Sequence, residues 1–205
     1  MSKYKVGGSQ GLYQPDSNDL VLANKLGLTV LEEMNEAELF LLEKLYEEVL
    51  LKHFSSQLIQ VLDIKTWHRK WLGNIYDWAG EERSVNMSKG DFHFSAAAQI
   101  PRLLKEFEQD YLNKFTPCTG FNETQLIEAI AVIHIEFILI HPFREGNGRL
   151  SRLLADAMAL QAEFQPLDYS CWDQDKETYF SAIQAGMSMN YQPMIDLVRR
   201  AVEVN

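Results

Sequence analysis

A chain of 205 residues, 46% hydrophobic and 23% charged, carries enough apolar material for one domain with a buried core. Its 19 basic and 29 acidic side chains leave a net charge of −10, which argues against a nucleic-acid binder, because phosphate backbones call for a basic footprint. The most apolar stretch, 126–140, is shorter than a membrane span and contains Glu128, His134 and Glu136, so it reads as a buried helix and no membrane partner is expected.

Residues 1–18 are rich in Gly, Ser, Gln and Pro and read as a flexible N-terminal segment. A single domain is expected over 19–205, with its core over about 60–190. No apolar signal-peptide core follows Met1, and Cys118 and Cys171 lack zinc-ligand spacing, so two reduced thiols in a cytoplasmic protein are the expectation, with a single disulfide as the alternative. From Leu39 the residues Leu42, Leu45, Tyr46, Val49 and Leu50 fall at helical spacing, with Asn35 as N-cap and Glu38 completing a capping box. A second helix is expected over 63–72, capped by Asp63, with Trp67 and Trp71 on one face.

Helical periodicity is then lost. Val85, Met87, Phe92 and Phe94 alternate with polar residues around Lys89-Gly90, the pattern of a short β-hairpin and the only clear strand signal in the chain. Further helices are predicted over 99–114, over 123–140 with Asn122 as cap and Gln125 at the third position, and over 147–163. Asp173 or Asp175 should open another, closed by Gly186, and a last one should cover 192–204. The fold class is all-α with one hairpin.

Chemistry concentrates in His141-Pro142-Phe143-Arg144-Glu145-Gly146-Asn147-Gly148-Arg149, followed by Arg152. A histidine has an ordinary pKa near neutrality and suits a general base, although an isolated one at a helix end is as simply explained by the helix dipole. Gly146-Asn147-Gly148 can curl backbone N–H groups around an anion at a helix start, with the Asn147 amide as a further donor, or can be a plain turn. Arg149 and Arg152 share a helix face and suit the phosphates of a nucleotide, or else are surface arginines paired with Glu145 and Asp156. Glu145 would repel phosphate unless Mg²⁺, which takes carboxylate and phosphate oxygens together, lay between them. Phe143 reads as an apolar anchor for the loop. There is no GxxxxGK[ST] loop, so the nucleotide reading rests on this stretch.

Residues 141–152 match, position for position, the signature His-x-Phe-x-(Asp/Glu)-Gly-Asn-Gly-Arg-x-x-Arg of the Fic family, which the chain resembles. The likeness extends to Ile75–Glu81, Arg83 and Ser84-Val85-Asn86, similar to the segment leading into the family's flap, and to Leu22–Leu28, similar to its N-terminal arm. It implies the all-helical Fic fold with a small β-hairpin flap over about residues 20–200. It also implies a protein adenylyltransferase using ATP and Mg²⁺. His141 would deprotonate a Tyr, Thr or Ser hydroxyl of a target protein, Glu145 would hold the metal, Gly146, Asn147, Gly148 and Arg149 would cradle the phosphates, and Arg152 would bind the γ-phosphate. The flap residues Ser84, Val85, Asn86, Met87, Ser88 and Lys89 would clamp the target segment by strand addition. A plain solvated lysine is the alternative for Lys89.

Family members are often self-inhibited by a helix bearing (Ser/Thr)-x-x-x-Glu-(Gly/Asn), whose glutamate pairs with the second motif arginine. The nearest match runs from Thr29 to Glu33, followed by Met34, which makes Glu33 the candidate inhibitory residue and a separate small antitoxin the alternative. Relatives with altered loops transfer other groups, so a transferase with another donor, or a nucleotide-binding regulator without turnover, are the competing readings. The expected setting is the bacterial cytoplasm.

Overall fold

The computed structural model describes residues 5–6, 9–51 and 57–203. Its helices are α1 (Leu31–Leu51), α2 (Val61–Leu72), α3 (Ile100–Glu106), α4 (Asn113–Phe115), α5 (Glu123–Ile140), α6 (Asn147–Gln161), α7 (Ser170–Gln174), α8 (Lys176–Gly186) and α9 (Gln192–Glu203). A three-stranded antiparallel sheet of β1 (Lys5–Val6), β2 (Met87–Lys89) and β3 (Phe92–His93), in that order, lies beside them.

Helix α5 is the axis of the domain. Asn122 caps it by accepting the Gln125 N–H at 3.0 Å, and the Gln125 side chain accepts the Asn122 N–H in return. Leu126, Ile127, Ile130, Ile133, Ile135, Phe137 and Ile138 face different directions and are all buried, since α6, α8 and α9 surround the helix. Each such side chain contributes roughly 1.5–3 kcal/mol of burial, which makes α5 the least replaceable element. α8 approaches so closely that a Cβ on Gly186 would run into Ile135.

Several expected boundaries move. α1 begins at Leu31, earlier than the expected cap at Asn35, because Glu32 and Glu33 already supply the first-turn acids that a helix dipole favours. Glu38 is not a capping residue: Met34, Leu42, Leu45 and Val49 form the buried stripe of α1, and Glu38 falls on it, 4% exposed. α2 starts at Val61 with Gln60 as its cap and Asp63 at the third position. The 99–114 helix is broken by a π-helical turn over Phe107–Leu112. Positions five apart diverge around an α-helix, and the wider winding lets Phe107 and Leu112 both reach the core.

α7 was not foreseen; Asp173 lies within it, and Asp175 caps α8 by accepting the Thr178 N–H. The described part of the N-terminal segment expected to be flexible makes several contacts. Gln14 and Val21 share a backbone hydrogen bond, Tyr13 bridges Leu22, and Ser17 is buried. Residues 1–4 and 7–8 of that segment lie outside the described residues. Both cysteines are free, and burial pushes the Cys118 thiol up to about 12. No helix among the described residues is long and apolar enough to cross a membrane.

Candidate active site

His141 closes α5 in the left-handed conformation, φ 52° and ψ 59°. A pre-proline residue ordinarily turns extended, and left-handed geometry costs a non-glycine residue roughly 1–2 kcal/mol, so something must hold it. That support is Arg83, 1% exposed, whose Nε donates to the His141 carbonyl at 2.6 Å. Its Nη1 donates to the Val85 carbonyl at 2.6 Å, and its Nη2 to Ser95 at 2.5 Å and Ile140 at 3.3 Å. Its backbone N–H donates to Pro142 at 2.8 Å. Burial lowers the guanidinium to about 10, so it stays charged and faces the negative end of the α5 dipole. One side chain thus ties the end of α5 to both roots of the flap. The His141 ring stacks on Phe94 with centroids 3.7 Å apart, and Nδ1 lies 3.3 Å from the Ile138 carbonyl. A carbonyl only accepts, so Nδ1 carries the hydrogen and Nε2 the lone pair.

The loop from Phe143 to Gly148 is closed by Asn147. Its Oδ1 accepts the Phe143 N–H at 2.9 Å and its Nδ2 donates to the Phe143 carbonyl at 2.8 Å. The expectation that this amide serves a phosphate is corrected: the side chain is buried and braces the loop, which leaves the backbone N–H for an anion. Gly146, at φ 82°, opens α6, and a Cβ there would stand 2.5 Å from the buried Trp71 ring. His68, overlooked in the sequence, supports the loop from beneath. Its ring stacks on Phe143 at 4.0 Å, its Nδ1 accepts the Gly80 N–H at 2.7 Å, and its Nε2 therefore donates to the Glu145 carbonyl at 3.1 Å. Burial lowers His68 to about 4 and keeps it neutral. The Glu145 carboxylate accepts the Gly146 N–H at 3.0 Å and lies 3.7 Å from the Arg149 guanidinium.

Arg149 is held by Glu38, at 2.6 Å, and lies over the Trp71 ring at 4.5 Å. Glu38 also accepts the Tyr76 hydroxyl at 2.8 Å. The α1 glutamate that reaches a motif arginine is therefore Glu38, and the arginine is the first of the two. Glu33 is exposed and forms no ion pair with Arg149 or Arg152, so its expected contact is not made. Nor does Arg152 pair with Asp156. It forms a two-point contact with Asp173, at 2.7 and 3.0 Å, which holds Asp173 below the usual carboxylate range. Asp156 is buried, accepts the Tyr169 hydroxyl and the Leu167 N–H, and is raised by burial to about 6.

Arg149, Arg152 and Asp173 line a cleft of about 590 Å³ together with His141 and Glu145. One wall is the motif loop, with His141, Glu145, Gly146, Gly148, Arg149 and Arg152; the flap supplies Lys89, Phe92 and Phe94; α8 supplies Tyr179, Phe180, Ile183 and Gln184. The Lys89 ammonium sits 3.4 Å over the Phe180 ring and spans flap and α8, so the solvated-lysine alternative does not hold. His134, also unforeseen, supports Tyr179 from the core through a 2.8 Å contact with its hydroxyl. Of the other flap residues, Val85 and Met87 pack beneath the hairpin with Phe94, and Asn86 accepts the Ala97 N–H.

A histidine with its lone pair fixed, facing a glycine-opened helix start flanked by two arginines, is an arrangement suited to acting on a bound anion. The sequence profile of the Fic/DOC family matches residues 58–159. The "Probable protein adenylyltransferase Fic" of Escherichia coli (strain K12) is 30% identical over 128 residues, spanning 60% of each chain. The protein adenylyltransferase Fic of Nematostella vectensis is 30% identical over 160 residues, 75% of this chain and 36% of that one. The chain thus spans less than two thirds of the length of these two relatives. The crystal structure of Bartonella tribocorum BepC with bound AMPPNP superposes with a TM-score of 0.71 at 22% identity, covering 93% of this chain and 95% of that one, which carries the fold. The chain belongs to the Fic/DOC family.

Proposed function

We propose that this chain is a protein adenylyltransferase that moves AMP from ATP to a Tyr, Thr or Ser hydroxyl of a target protein. The observation that carries the reading is the shared cleft: His141 and the α6 start, with Glu145, Arg149 and Arg152, face one another beneath the flap. His141 Nε2 takes the hydroxyl proton. The hydroxyl oxygen bonds to the α-phosphorus, the bond from that phosphorus to the β-bridging oxygen breaks, and pyrophosphate leaves with the electron pair. Arg83 and Phe94 hold the imidazole in place during the transfer. Backbone N–H groups at Asn147 and Gly148 and the positive end of α6 serve the phosphates.

One carboxylate beside an anion loop is the donor set that Mg²⁺ takes together with phosphate oxygens, and Glu145 is the residue that would hold it. The ion would neutralise charge on the departing pyrophosphate. Arg149 and Arg152 serve the β- and γ-phosphates once they exchange Glu38 and Asp173 for the nucleotide. The apolar end of the cleft, at Tyr179, Phe180 and Ile183, suits a flat base. The partner is a protein with an accessible hydroxyl, and a small antitoxin remains the candidate regulator in place of Glu33. The free thiols fit a bacterial cytoplasmic setting.

Label position in the donor tests the reading. With ATP labelled on the α-phosphate, proteins of a lysate should take up label dependent on His141. Label taken up only from the γ-phosphate would indicate phosphoryl transfer.

A further inference from the structure

The flap edge offered for a target segment is already covered by the chain itself. β1 pairs antiparallel with β2, Lys5 opposite Ser88 and Val6 opposite Met87. Gln10 also reaches the flap, where its side-chain oxygen accepts the Ser84 N–H at 3.0 Å. Its carbonyl accepts from Nε of the buried Arg144, within the motif loop, at 2.8 Å. Lys5, Val6 and Gln10 therefore meet the flap strand and its approach in reverse order, at Ser88, Met87 and Ser84, and Gln10 is fastened to the motif loop. β3 holds the other edge of β2, and the chain leaving β3 is fastened to α5, where the Ser95 N–H and hydroxyl both donate to the Leu139 carbonyl. The open side of β2 is thus the arm's side.

We propose that the N-terminal arm is a built-in occupant of the flap edge, and that an extended target segment reaches the cleft by displacing it. The inference rests on the adenylyltransferase reading for its consequence, though not for the pairing. An arm tethered at Gln10 has a high effective concentration and competes with any segment added from solution. Among the described residues its ladder is two residue pairs long, short of what a strand pair needs for independent stability, so a longer partner strand can replace it. The partner this edge fits is an extended segment running antiparallel to β2, recognised through its backbone.

A reversible lock tests the competition. In the Lys5→Cys/Ser88→Cys variant, a disulfide between directly opposed residues fixes the arm to the flap. Oxidation should slow AMP transfer to the lysate proteins that the reduced form labels by at least about tenfold, with ATP affinity unchanged and activity restored by reductant. Equal transfer by the oxidised and reduced forms would overturn the proposal. A second measurement needs no catalysis and separates this idea from the function. Amide exchange across 87–89 should quicken in Lys5→Pro/Val6→Pro, since proline cannot donate to a ladder, and slow again on adding a synthetic peptide of residues 2–11. Protection unchanged in the proline variant, or not recovered with the peptide, also overturns it. If wild-type protein transfers no AMP, the functional reading fails, and the exchange result alone decides the arm.

Discussion

Arg83→Lys is the substitution that discriminates most sharply among accounts of how the histidine is held. The variant keeps a positive charge in the same buried position but replaces a planar fork with a compact ammonium, which cannot reach the His141, Ile140, Val85 and Ser95 carbonyls together. Hydrogen bonds to a charged donor contribute about 1.5–3 kcal/mol each, and a buried carbonyl left without a donor costs about 1–3 kcal/mol. Losing one or two of these contacts predicts a destabilisation of about 3 kcal/mol, or a fall in melting temperature of about 6–12 °C for a chain this long. The effect on transfer should exceed that on nucleotide binding, because Arg83 touches His141 and the flap roots and lies outside the lining of the cleft. A displacement of His141 by an ångström would lower kcat by about a hundredfold, with KM for ATP nearly constant. Thermal unfolding and steady-state transfer read the two effects separately. Wild-type stability and kcat in Arg83→Lys would refute the idea that this guanidinium sets the geometry of the site.

His141→Ala should abolish transfer while ATP affinity, measured by calorimetry, stays within about threefold of wild type, as expected for a group acting on the proton alone. Arg152→Ala should raise KM for ATP by roughly tenfold or more, and Arg152→Lys should not restore it, because only the fork matches a phosphate at two points. Glu33→Gly should leave the transfer rate unchanged, since Glu33 is exposed and reaches neither motif arginine; a clear rise in rate would return the inhibitory role to it. Acid should destabilise the fold: burial lowers His68 to about 4 and His134 to about 3, so the unfolded chain binds protons first and stability falls as pH drops from about 6.5 towards 4. Asp156, raised to about 6, and Glu136, also raised by burial, work the opposite way and reduce the fall; a melting temperature that rises as pH drops from about 6 to about 4.5 would contradict the neutral buried histidines.

What the sequence made legible was local. α5 could be read residue by residue because its cap, its all-round apolar surface and Pro142 lie within one stretch of chain. The motif loop was legible for the same reason, as a glycine-opened helix start next to its histidine. What escaped depends on contacts far apart in the chain. β1 is two residues long and exists only because β2 offers an edge. Arg83 and His141 are distant in sequence, so nothing near Arg83 announces four carbonyl partners. Two signals were present but given another meaning or none. Glu38 interrupts the stripe of Met34, Leu42, Leu45 and Val49, where a carboxylate needs buried partners; Arg149 and Tyr76 supply them. His68 falls a helical turn from the buried Ile64 and Trp71, a position that faces the core, where an imidazole must be hydrogen-bonded on both nitrogens or neutralised. Asn147 misled in the opposite direction, since a polar residue in an anion loop invites a ligand contact, yet closing the loop uses its amide.

The most direct test of the central claim is the intact mass of proteins incubated with ATP and Mg²⁺, comparing wild type with His141→Ala, alone and in a cell lysate. A gain of one AMP is expected on the chain or on a lysate protein, absent with His141→Ala and mapped to a Tyr, Thr or Ser side chain. A gain of one phosphate, or an AMP gain that persists without His141, would contradict it.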